Sequence, residues 1–175
     1  MPAMRKLTAV TLSTLVLFAF AASADHDTAK KPLSPPQEVK YSTSDKHITI
    51  NYSAPSKRGR TVMGSLVPYG KIWRTGANAA TTLTTNTDLM LGSLHVPAGK
   101  YTLYTIPGDK EWTLIVNKQT GQWGTNYDQK QDLGRVKMTV KPLKAPVEQF
   151  EIAVDAKALT MSWENVQATV PVMVH

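Results

Sequence analysis

The sequence contains no cysteine. No disulfide can brace the fold, no thiolate can bind a metal or attack a substrate, and no lipid can be attached through a thiol. Helical periodicity is missing as well. From Glu38 onward no window of a dozen residues supports a long amphipathic helix, which argues against a helical bundle. Histidine is scarce: His26, His47, His95 and His175 are scattered, with no paired His/Glu spacing of the kind a metal site needs. No metal and no cofactor are expected. A nucleophile would have to be Ser or Thr aided by His. Ser93 and His95 share a hairpin, but without the G-x-S-x-G context that strains a serine into reach. Paired carboxylates for glycoside hydrolysis would be paired in space, so the sequence leaves them open. The balance leans away from an enzyme.

Only one long hydrophobic run exists, and it lies at the N-terminus. Arg5 and Lys6 precede the apolar run Leu7 to Ala21, and Ala22-Ser23-Ala24 offers a small-residue cleavage site. This is the pattern of a secretory signal peptide over 1–24. The run is about 15 residues, short of the roughly 20 that cross a bilayer; an uncleaved anchor is the alternative. A polar, Pro-containing leader (25–37) and one domain (38–175) follow. The expected location is periplasmic or secreted, with no membrane insertion after cleavage. Without Arg5 and Lys6 the chain keeps 18 Lys and Arg against 13 Asp and Glu, a net charge of +5. No nucleic-acid motif accompanies that charge, so nucleic acid is not an expected partner.

From Glu38 onward, apolar residues recur at every second position. Ile48, Ile50 and Tyr52 share a face, as do Val136, Met138 and Val140, with Arg135, Lys137 and Lys141 opposite. The same holds for Phe150, Ile152 and Val154; for Leu159, Met161 and Trp163; and for Val166, Ala168, Val170, Val172 and Val174. A period of two marks strands with one face in a core. Segments 100–106 and 111–117 are apolar on nearly both faces and read as a central hairpin covered on both sides. Pro171 lacks an N–H and suggests that the last strand lies at an edge. The fold class is therefore all-β: a two-sheet antiparallel sandwich, jelly-roll-like, with a closed barrel as the alternative. Two stretches abandon the alternation, 54–70 and 119–132. Long irregular loops in such a domain are where function concentrates.

The strings "GSLVPYGKIWRTGANAATTLTT" and "VPAGKYTLYTIPGDKEWTLIVNKQTGQWGTNYD" resemble a bacterial family of exported domains, domain of unknown function 2911, over residues 38 to about 173. The resemblance implies an exported all-β domain and brings no catalytic residues with it. It also implies an acidic residue in many members at the position of Ala79, where this chain departs from the pattern.

Candidate site residues come from the irregular segments. In "KIWRT", alternation puts Ile72 and Arg74 on one face and Trp73 on the other. If Ile72 points inward, so does Arg74, and a buried guanidinium requires a carboxylate. Asp88, Asp128 and Asp132 are the candidates; otherwise Arg74 faces a cleft and binds a ligand anion. Trp73 and Trp123 either stack on a ligand ring or plug the end of the core, while Trp112 and Trp163 are core residues. Arg60, within "KRGR", and Tyr127 complete the candidate set with Asn78, an amide donor that also suits a positive-φ turn. Asn51-Tyr52-Ser53 matches a glycosylation sequon but falls within a strand. The preferred function is a non-catalytic module that binds a small polar or saccharide ligand through loops 54–80 and 119–132. The alternatives are an envelope module docking on a protein partner, and a hydrolase of carbohydrate or ester bonds.

Overall fold

The computed structural model describes residues 32–175. The expected signal peptide, and all but the last residues of the leader, lie outside the described residues. Nine strands form one antiparallel sheet: β1 (Pro36–Ser42), β2 (His47–Ser53), β3 (Thr81–Thr85), β4 (Leu89–Leu91), β5 (Leu94–Val96), β6 (Gly99–Ile106), β7 (Glu111–Asn117), β8 (Asp132–Val154) and β9 (Ala158–Val174). Their order is β1-β2-β3-β6-β7-β8-β9-β4-β5. The ladder runs from edge to edge without closing into a barrel, so the all-β antiparallel expectation holds and the barrel alternative does not.

The sheet nevertheless rolls over itself. Three strands separate β2 from β8 in the ladder, yet the Tyr52 hydroxyl accepts the Ile152 N–H at 3.1 Å. The Tyr52 and Phe150 rings meet edge to face at 5.7 Å. One continuous core results, containing the inward faces of β2, β3, β7, β8 and β9. Full burial of side chains such as Trp163, Phe150 or Leu114 is worth about 1.5–3 kcal/mol each. The β6–β7 hairpin occupies the middle of the order. Both of its faces are buried: Leu103, Leu114 and Val116 point into the core, while Thr102, Tyr104, Ile115 and Asn117 are buried on the other side.

Two features depart from the alternation pattern. Inward positions on β9 change from odd (Leu159, Met161, Trp163) to even (Ala168, Val170, Val172). That change needs one extra residue, and Glu164 supplies it at φ 54, where β8 and β9 lose register around Val147. Pro171 does not mark an edge, because β9 lies between β8 and β4. Recorded pairs with β8 stop at Thr169 and those with β4 begin at Val172, so the proline falls where β9 changes partners. Its carbonyl accepts the Gly92 N–H at 2.8 Å. The sheet's edges are β1 and β5.

Candidate functional site

Segment 54–80 closes one end of the rolled sheet. Val62, Met63 and Val67 enter the core from it, and the bulged Glu164 holds it in place. Glu164 Oε2 accepts the N–H groups of Val62 (3.2 Å) and Met63 (3.1 Å). Further on, Trp73 docks beside β6, exchanging both backbone hydrogen bonds with Thr105 at 2.7 and 2.9 Å. It thereby extends the slot that β3 fills from Thr81 onward, since Thr81 pairs with Leu103 on the same strand.

That docking decides the orientation of "KIWRT". Trp73, not Ile72, turns inward, stacking on Trp163 at 5.8 Å and meeting Phe150 at 4.9 Å and Trp112 at 6.2 Å edge to face. Ile72 is left 41 % exposed. The physical reason is area: an indole buries more apolar surface than a sec-butyl group, and an aromatic cluster was waiting for it. Trp112 and Trp163 are the core residues expected. Trp73 plugs the core, as one of its two readings had it, while its edge still reaches the surface clefts.

Between Trp73 and Thr81 the chain leaves the ladder and returns. Thr75 (φ 55), Gly76 (φ 152) and Asn78 (φ 58) all take left-handed backbone, which confirms the turn role of the last two. Buried hydroxyls satisfy the excursion internally: Thr81 Oγ1 donates to the Thr75 carbonyl at 2.7 Å, and Thr75 Oγ1 meets Thr105 Oγ1 at 3.1 Å. A Cβ on Gly76 would lie 3.0 Å from the Ser53 carbonyl, which is why no larger residue fits.

Segment 119–132 covers the outer face of the central hairpin. Tyr104 donates to the Asn126 carbonyl at 3.0 Å and packs edge to face on Tyr127 at 4.9 Å. Buried Asn117 bonds the Asp128 carbonyl and Asp132 Oδ1, both at 2.9 Å. The two irregular segments are stitched together: Gly124 N–H donates to the Asn78 carbonyl at 3.1 Å, and Ala80 N–H to the Gln122 carbonyl at 3.3 Å.

On either side of this seam lies a cleft. The first, about 410 Å³, is lined by Leu66, Pro68, Lys71, Ile72, Trp73, Arg74, Tyr104, Gly124, Thr125 and Tyr127. The second, about 370 Å³, runs past Leu33, Ser56, Arg58, Arg60, Gly76 and Asn78 and shares Leu66, Trp73 and Arg74 with the first. Every charged residue in either lining is cationic. Among the described residues, none of these four cations has a carboxylate within salt-bridge distance.

The three carboxylates considered for Arg74 are all engaged elsewhere. Asp88 accepts from Ala98 N–H (2.9 Å) and bonds His95 Nε2 (3.0 Å). Asp128 caps the single 3-10 turn, Gln129–Gln131, through the Lys130 N–H at 2.9 Å. Asp132 takes Tyr127 Oη at 2.7 Å and Arg135 Nε at 3.0 Å. The reading of Arg74 as half of a buried ion pair is therefore replaced: the residue is half-buried and lines both clefts.

The other candidates divide. Arg60 lines the second cleft, but its Nε and Nη2 already donate to the Lys57 and Ser56 carbonyls at 2.9 and 2.7 Å. Asn78 lines the same cleft. Tyr127 lines the first with its hydroxyl committed to Asp132 and approached by Arg135 Nη2 at 2.8 Å. Burial, then the Asp132 carboxylate, push its pKa above the ordinary phenol value, so it remains a neutral donor at neutral pH. Burial likewise raises that of Tyr104. Burial opposes the charge on Arg135, but Asp132 and Tyr127 outweigh it and raise its pKa. Trp123 is 53 % exposed and belongs to neither lining, so it does not plug the core. Lys71, Ile72, Leu66 and Arg58 are cleft residues that strand alternation did not single out. Arg58 and Leu66 fall within the unpatterned stretch 54–70, which was their sequence signal, whereas Lys71 and Ile72 lie just beyond it and carried none.

A family model described as "Protein of unknown function (DUF2911)" matches residues 34–172. The chain belongs to that family. For this DUF2911 domain no match is found among curated proteins or solved structures. The match spans all nine strands up to Val172 on β9, and both irregular segments that form the clefts of the DUF2911 domain lie inside it.

Proposed function

We propose that this DUF2911 chain is an exported, non-catalytic binding module whose two adjoining clefts take a small anionic organic ligand, such as a carboxylated or phosphorylated sugar. The observation that carries this reading is the charge of the linings: Lys71, Arg74, Arg58 and Arg60, with no acidic residue among them. A guanidinium offers five donors in a fixed fork suited to carboxylate or phosphate. The Arg74 side chain stands where the two clefts meet, and Pro68, Leu66 and the edge of Trp73 provide apolar walls for a ring or short chain. Binding is favoured over hydrolysis because neither lining includes Asp, Glu or His, the groups that would serve as general acid and base. Titration with uronic acids, sugar phosphates and small aromatic acids, read by calorimetry and thermal shift, tests it. A ligand at a hundred times its Kd adds about 2.7 kcal/mol of stability. Arg74→Gln should remove that shift while leaving the unliganded melting temperature nearly unchanged. Equal shifts in wild type and R74Q would defeat the proposal.

A further inference from the structure

Six large apolar side chains are exposed among the described residues, and Leu33, Leu66, Tyr69 and Ile72 all belong to the cleft-bearing end. Leu33 is 65 % exposed, well beyond what packing against the cleft requires. An isolated exposed leucine means little, but several gathered at one end mark a contact surface. Interleaved with them are the unpaired cations already described. Glu148 Oε1 accepts the Arg58 N–H at 2.7 Å and Glu164 those of Val62 and Met63, but neither forms a salt bridge with a cleft cation. Apolar side chains projecting among cations free of salt bridges are the features of a protein face that settles into the head-group layer of a bilayer.

Pro32 to Ser34 enter the domain at this end, with Leu33 and Ser34 in the wall of the second cleft. The Leu33 carbonyl accepts from Arg58 Nη2, which sets the exposed leucine beside a cleft cation. On β8 and β7, Lys137 is paired with Glu111 at 3.0 Å and Arg135 with Asp132 at 3.0 Å.

We infer that the cleft-bearing end docks on an anionic phospholipid surface, with head-group phosphates at Arg74 and Lys71 and with Leu33, Leu66 and Ile72 dipping into the interfacial layer. This rests on the proposed reading of the clefts as anion sites and names the source of the anion. The attraction is Coulombic and close to the surface, so it weakens as salt shortens the Debye length. The apolar contribution persists at high salt.

Among the described residues every buried core side chain lies within residues 48–172; the chain from Asp25, which keeps all nine strands, is the form to use, with circular dichroism to check its fold. Its co-sedimentation with phosphatidylcholine vesicles is compared with vesicles containing phosphatidylglycerol. The expected result is much stronger binding when phosphatidylglycerol is present, reduced by added salt toward the level on phosphatidylcholine. Losing one cation, in Arg74→Gln or Lys71→Gln, should weaken partitioning about fivefold each. Leu66→Ser with Ile72→Ser should remove the salt-resistant remainder. Both positions are exposed, so the fold survives; circular dichroism checks this. Binding that is equal on both vesicle types, or unaffected by these substitutions, would overturn the inference. So would binding of glycerol phosphate in solution without vesicle binding, which leaves the anion cleft intact and removes only the membrane. Retention on poly-glutamate but not on vesicles would overturn it in favour of an acidic protein partner.

Discussion

Single side chains in this domain hold large pieces of it in place. Glu164 is the clearest case, a non-glycine residue at positive φ whose carboxylate answers the N–H groups of two buried residues, Val62 and Met63, in an otherwise exposed loop. Glu164→Ala leaves both donors buried without a partner, which costs about 1–3 kcal/mol. Urea denaturation should therefore show a lower midpoint with an unchanged slope. Asn78 poses the opposite test. It needs left-handed backbone, so Asn78→Gly should be nearly neutral and Asn78→Val should cost about 1–2 kcal/mol. Similar melting temperatures for the two variants would show that the turn relaxes without strain.

At the scale of elements, the seam between segments 54–80 and 119–132 is the part that positions the site. A Cβ on Gly124 would lie 2.6 Å from Arg74 Cδ and 2.7 Å from the Asn78 carbonyl. The side chain can yield, but the carbonyl, held in the seam, cannot. Gly124→Ala should cost about 1–3 kcal/mol and weaken anion binding by shifting Arg74; an R74Q–G124A double variant tests whether the two effects share a cause. Sequence periodicity exposed most of the elements. Alternation placed the inward faces of β2, β8 and β9, and the doubly apolar β6–β7 hairpin did prove central. It failed where two apolar residues were adjacent. In "KIWRT" either Ile72 or Trp73 could turn inward, and the choice was made by a distant aromatic cluster that the local string does not contain. The odd-to-even change on β9 was visible in the string, but that it could be one bulged strand depends on its neighbours. Arg74 could not be placed from sequence, because each candidate carboxylate is taken by neighbours of its own, Asp88 by Ala98 and His95 and Asp132 by Tyr127 and Arg135.

For the molecule as a whole, acid sensitivity should come first from its exposed caps. Hydrogen bonding from the Ala98 N–H, and next from His95, lowers the pKa of Asp88; the N–H groups of Lys157 and Ala158 do the same for Asp155. A carboxylate depressed in the folded state contributes stability above its unfolded pKa of about 4 and loses it as pH falls through the lower folded value. Melting temperature should thus begin to fall below about pH 4. Asp88→Asn with Asp155→Asn should flatten that limb by lowering the melting temperature at neutral pH toward its acid value; an unchanged acid limb would place its origin in other carboxylates. A separate consequence follows from the way Trp73 and Thr81 both anchor to β6. The chain between them hangs from two fixed posts on one strand, with Thr75 and Gly76 buried and Asn78 and Ala79 exposed. Exchanging the side chains at Arg74 or Ala79 would therefore alter what the domain meets while the posts leave the ladder undisturbed.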